Sequence, residues 1–235
     1  MLRAMSQINA WRDIGPSGLK SLFSQTVGLK VLMAVTGLAL VGFLVAHLAG
    51  NALIFVGPEA INAYSAELHA HPELLWAARL GLLASVCVHI VCAFKLWMRN
   101  KDARPVGYKV RKDAATTYAA RTMYISGPIV FFYLFYHLAH LTFGTPMGDY
   151  EHSSTDVYAN LVNGFQIPWV AVSYMLANLC VGFHIYHGIW SMTQSIGLNS
   201  PKVQPRLRSL SAAAAILLTL GNISIPLSVW LGLVG

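Results

Sequence analysis

Four histidines lie inside uncharged apolar runs: His47 in GFLVAHLAGN, His89 in LASVCVHIVCAF, His137 in FFYLFYHLAH and His184 in NLCVGFHIYHGIW. An imidazole is costly at bilayer depth unless it has a partner, so each is a candidate functional residue. Two imidazoles at one depth on different helices can clamp one haem from both faces. With both axial positions filled, iron has no open site for oxygen chemistry, and electron transfer is what remains. The four histidines are therefore read as two pairs, each holding the iron of one haem b.

Depth sets the pairing. A helix rises about 1.5 Å per residue, so His47, 17 residues beyond Lys30, lies roughly 25 Å from the first edge of the bilayer. His137, 16 residues beyond Arg121, lies roughly 24 Å from the same edge. His89 precedes Lys95 by six residues, about 9 Å from that edge, and His184 follows Pro168 by 16 residues on a returning helix. His47 and His137 share an outer level, and His89 and His184 an inner one.

The elements that position these residues follow from composition. The 235-residue chain is 56% hydrophobic and only 11% charged, against about 25% charged in ordinary soluble domains. Charge is almost absent from five windows at about 29–56, 76–98, 122–144, 168–194 and 209–234. Each reaches the ~20 residues a spanning helix needs, and lipid leaves backbone amides no partner except the helix itself. The fold class expected is all-α: one polytopic membrane domain over 1–235, built as a five-helix bundle.

The net charge of +7 reports topology and not nucleic-acid binding. Lys and Arg concentrate at Arg3, Arg12, Lys20 and Lys30, from Lys95 to Arg121, and at Lys202, Arg206 and Arg208, whereas connections 57–75 and 145–167 contain none. The positive-inside rule places the N-terminus in the cytoplasm and the C-terminus outside. Residues 1–28, with Trp11, Leu19, Leu22 and Phe23 among basic and small residues, read as a cytoplasmic interfacial segment. No cleaved signal peptide is expected. The basic connection 100–121 suits anionic lipid or a docked soluble subunit. Cys87, Cys92 and Cys180 fall within spans and show no zinc, iron–sulfur or covalent-haem spacing.

Gly37 and Gly127 each precede a proposed outer ligand by ten residues, about 15 Å, which puts both near the inner level. There a missing side chain would admit a porphyrin; packing through small residues is the alternative. His140 and His187 lie three residues beyond His137 and His184, on nearly the same helix faces. From spacing alone either can replace its neighbour as ligand; otherwise they suit hydrogen bonds to propionates or quinone, or simply satisfy each other's helices.

At TGLALVGFLVAHLAGN, SGPIVFFYLFYH, FHIYHGIWS and the second-span histidine, the chain resembles the dihaem cytochrome b membrane anchors of succinate dehydrogenases and fumarate reductases, in the class where one five-helix polypeptide carries both haems. The resemblance implies His137 and His184 as ligands over His140 and His187, and the same pairing that depth gives. It also implies a flavoprotein subunit and an iron–sulfur subunit on the cytoplasmic face of a bacterial plasma membrane, a quinone substrate of the menaquinone type, and assembly of the whole complex. Some fumarate reductases of this class carry a glutamate two residues before the fourth histidine for moving protons. Gly182 occupies that position here, which puts such a route through the fourth span in doubt.

For proton exchange near the outer pair, the nearest titratable groups are Glu67, His69, His71 and Glu73; a solvated loop is the simpler account of exposed charges. Lys30 and Arg121 suit inner-haem propionates, or serve as interfacial anchors. Two rivals make distinct demands. A cytochrome b anchor of a hydrogenase or formate dehydrogenase would share the haems but bind other soluble subunits, and a haem-free transporter would carry structural histidines only.

Overall fold

The computed structural model describes residues 24–103, 118–198 and 200–235, and these form no strand. Most of the amphiphilic N-terminal segment and the middle of the basic connection 100–121 lie outside the described residues. Helix α1 covers Thr26–Asn51 and continues through a 3-10 turn at Ala52–Phe55. After it come α2 (Pro58–Ala70), α3 (Pro72–Asp102), α4 (Tyr118–His137, prolonged by a π-helical turn at Leu138–Thr142), α5 (Val157–Phe165), α6 (Pro168–Ser195) and α7 (Gln204–Trp230). Among the described residues, five of these are long and apolar enough to cross a membrane: α1 with its 3-10 turn, α3, α4 with its π turn, α6 and α7. The protein is an all-α, multi-pass membrane protein.

Helix starts are written into the sequence. A proline stands in the first turn of α2, α3, α6 and α7, where its missing N–H has no helical acceptor to lose. Gly57, at φ 134°, breaks the chain between the 3-10 turn and α2, a conformation that side chains oppose. The helices extend past the hydropathy windows: α3 begins at Pro72, not 76, and runs on to Asp102. Hydropathy marks the part in hydrocarbon, whereas the amide ladder continues into the interface. Both acidic connections hold short helices, α2 in 57–75 and α5 in 145–167, so neither is the open loop expected there.

Helix α6 is the hub, packing on α7, α4 and α1, while α3 packs chiefly on α1. Ile185, Ala215 and Leu218 fill the α6–α7 seam. Leu29, Cys92 and Leu96 fill the α1–α3 seam at the basic end, where Arg99 also donates to Thr26 Oγ1 (3.0 Å) and to the Ser24 carbonyl (2.7 Å). At the acidic end, Ile54, Ile61, Phe165, Val170, Tyr174 and Val229 join α2 and α5 to the spans. Asp156 caps α5 through Ala159 N–H (2.9 Å) and accepts from Asn62 Nδ2 (3.0 Å), while Asn62 Oδ1 accepts Tyr158 N–H (3.1 Å). This reciprocal bonding clamps α2 to α5. The capping N–H first, then the Asn62 amide, hold the Asp156 carboxyl below its ordinary range.

Candidate functional site

The structure brings the four span histidines together in twos. The rings of His47 (α1) and His137 (α4) have centroids 5.7 Å apart, inclined at 71°. Those of His89 (α3) and His184 (α6) are 6.3 Å apart, inclined at 56°. Each pair joins helices whose main packing is elsewhere, and the two pairs occupy opposite halves of the bundle. Two metal–imidazole bonds of about 2.0–2.1 Å, with ~1.1 Å more from each nitrogen to its ring centre, span about 6 Å. Both separations match a metal held between two imidazoles.

The polar atoms point the same way. The Nδ1 atoms of His137 and His184 are buried and have no hydrogen-bond partner, a condition that costs about 1–3 kcal/mol for an ordinary buried polar group. A group bound at these nitrogens would relieve it, and the same holds for Nδ1 of His187. Among the described residues no group of three or more His, Cys, Asp or Glu side chains is placed to hold a metal ion by itself; a haem held by paired histidines would need none. The residues present fit haem.

Around the outer pair the walls are aromatic. Phe43 lies 5.3 Å from the His47 ring, and Tyr133 and Tyr174 each lie 5.9 Å from the His137 ring. The tyrosine hydroxyls are tied to α6: Tyr133 OH accepts from Asn178 Nδ2 (3.3 Å), and Tyr136 OH lies 3.3 Å from Ser173 Oγ. The Ser173 hydroxyl donates, with Tyr136 OH and the Val170 carbonyl (2.8 Å) as its two acceptors. Asn51 donates to the His47 carbonyl (2.8 Å), and its amide nitrogen lies 3.2 Å from Nδ1 of the same residue.

His140 is separated from His137 by the backbone. In the π turn the Phe143 N–H reaches back to the Leu138 carbonyl (2.9 Å), which adds a residue to the turn and rotates the side chains along it. His140 therefore faces α5 and α6 and is fully buried. Its Nδ1 lies 3.0 Å from Tyr174 OH and its Nε2 2.8 Å from Tyr150 OH. Both ring nitrogens are engaged, which leaves none for a metal. Gly164 makes room, because a Cβ there would stand 2.8 Å from the His140 ring. His187 is half-buried, with its Nδ1 enclosed and unpartnered.

The remaining candidates divide. Gly37 lies against His89, whose Cε1 would be 3.3 Å from a Cβ added there, whereas nothing stands within 4 Å of a Cβ added at Gly127. Lys30 and Arg121 are exposed at the basic end, and Arg121 lies 6.0 Å over the Tyr118 ring. Glu67, His69, His71 and Glu73 are exposed. Local partners engage three of them: Glu67 meets His71 at 3.3 Å, and His69 Nδ1–H donates to the Ser65 carbonyl (2.8 Å). Gly182 packs under α7, where a Cβ would collide with Thr219 Oγ1. Sequence reasoning missed Thr36, whose Oγ1 lies 3.2 Å from His89 Nδ1, and the tyrosine partners of His140. Asn51 was visible as the i+4 neighbour of His47; the tyrosines, distant in sequence, left no local signal.

The family model of the succinate dehydrogenase/fumarate reductase transmembrane subunit matches the chain over residues 100–222. The matched stretch includes α4 with His137, α6 with His184 and the packing of both on neighbouring spans. No curated protein and no solved structure is matched. With more than half of its 235 residues inside that model, the chain belongs to the succinate dehydrogenase/fumarate reductase transmembrane subunit family.

Proposed function

We propose that this chain is a dihaem cytochrome b membrane anchor of a succinate:quinone oxidoreductase, passing electrons between an iron–sulfur subunit and membrane quinone. The observation that carries this reading is the meeting of four imidazoles in two separate pairs, 5.7 and 6.3 Å apart, inside a bundle of this family.

A haem b, when bound by such a pair, would supply one-electron transfer. His47 and His137 would hold one iron, and His89 and His184 the other. The aromatic rings of Phe43, Tyr133 and Tyr174 border the first pair. Tyr150 and Tyr174 hold His140 away from it, as a structural residue. The fourth span has no acidic group at Gly182 to carry protons. The basic end, with Lys30, Lys95, Arg99, Lys101, Arg121, Lys202, Arg206 and Arg208, faces the cytoplasm and docks the iron–sulfur and flavoprotein subunits. The acidic end faces outward, as the positive-inside rule requires, and the membrane is a bacterial plasma membrane. Quinone of the menaquinone type is the membrane partner, and Glu67, His71 and Glu73 are the nearest exposed proton-exchanging groups at the outer face.

The test is a reduced-minus-oxidised spectrum of the complex purified with its soluble subunits. A b-type band of two resolvable components is expected. A preparation with no b-type band refutes the reading.

A further inference from the structure

His89 rests on α1 at two adjacent residues. Its Nδ1 lies 3.2 Å from Oγ1 of Thr36. A Cβ added at the next residue, Gly37, would stand 3.3 Å from its Cε1 and 3.7 Å from its Nδ1. A methyl group at Gly37 would require the ring to give by a few tenths of an ångström.

The direction of the Thr36 hydrogen bond follows from the other contacts of its hydroxyl. Oγ1 lies 2.8 Å from the Leu32 carbonyl and 3.2 Å from that of Met33. Carbonyls only accept, so the single hydroxyl proton is committed to α1 itself. The oxygen facing His89 is therefore left to accept, and with the Met33 carbonyl as a second acceptor on α1 we assign the imidazole proton to Nδ1. A neutral imidazole has one proton, so the lone pair of His89 resides on Nε2. Its partner differs: His184 Nδ1 is buried with no hydrogen-bond partner.

We propose that Thr36 and Gly37 form a seat that fixes the ring plane and tautomer of His89, making it the pre-oriented ligand of its pair, while His184 takes its orientation from the metal. The inference rests on the dihaem reading. Thr36 is a positioning residue, acting through His89. An acceptor on the distal N–H raises the basicity of a ligating imidazole and fixes its orientation. Greater basicity favours the ferric state, so losing the acceptor raises the reduction potential of that haem alone.

The experiment uses the whole complex, with haem stoichiometry, a potentiometric titration and the low-spin ferric EPR spectrum as readouts. Thr36→Val keeps the side-chain shape and removes the side-chain acceptor, leaving the Met33 carbonyl. One haem should shift to higher potential with a displaced EPR signal and bind about 10- to 100-fold more weakly, and the other should be unmoved. Thr36→Ser should restore all three readouts. Gly37→Ala, with the hydroxyl intact, should displace the EPR signal of the same haem. A haem-free wild-type complex would defeat the dihaem reading. A wild type with two haems whose Thr36→Val variant keeps both potentials and both EPR signals would overturn the seat. So would equal shifts of both haems, which mean a general change of packing.

Discussion

His137 and His140 stand three residues apart and have opposite surroundings. His137 has a buried nitrogen without a partner and a second imidazole 5.7 Å away, while His140 has a tyrosine hydroxyl on each nitrogen. Replacing His137 or His184 with alanine should therefore remove one haem each, read from the haemochrome of the purified complex. His140→Gln should leave both haems in place. Gly164→Ala, which drives a methyl group to 2.8 Å from the His140 ring, should cost about 1–3 kcal/mol of stability by overpacking without loss of haem, checked by thermal unfolding. The four paired histidines were legible because an imidazole stands out in an apolar run. The choice between neighbours three residues apart was not legible from spacing. For His137 and His140 it depends on a π turn and on the packing of Tyr150, Tyr174 and Gly164 around His140. Gly37 stands at the level its spacing suggests but meets a different neighbour: it adjoins the imidazole of His89, where the sequence suggested a porphyrin.

The fold depends on a few close approaches between elements. Gly182 lets α6 lie against Thr219 of α7, so Gly182→Ala should lower the melting temperature, and the pair Gly182→Ala with Thr219→Ala should recover part of the loss. A glutamate at 182 would require the helices to part. At the acidic end, Asp156→Ala removes the cap of α5 and the bond to Asn62, a loss of about 0.5–2 kcal/mol. The carboxyl of Asp156 is depressed by Ala159 N–H and Asn62. Its contribution is therefore complete above the ordinary carboxylate pKa, about 3.9, and disappears as pH falls through the lower folded value. Acid unfolding of the α2–α5 clamp, monitored by hydrogen exchange, should lose this pH dependence in Asp156→Asn. The five spans were readable because charge is excluded from hydrocarbon. The short helices were not read, since α2 and α5 lie among polar residues, although Pro58 and Glu59 in the first turn of α2 and Asp156 at the cap of α5 are ordinary helix-start signals.

At the scale of the molecule, one end gathers basic residues and the other carries Glu59, Glu67, Glu73, Asp149, Glu151 and Asp156. If the basic end docks the soluble subunits, their association should weaken as ionic strength rises, because exposed charge pairs are screened within about 10 Å at 0.1 M salt. Sedimentation of the complex at low and high salt reads this directly. Between the two ends, the bundle sets one imidazole pair in each half, on helices that meet mainly through these rings. What lies between the paired rings decides the function of the whole chain. Haem counted against protein in the purified complex is the most direct measure. Two haem b per copy of this chain are predicted; one would leave an imidazole pair without its metal, and none would contradict the dihaem reading entirely.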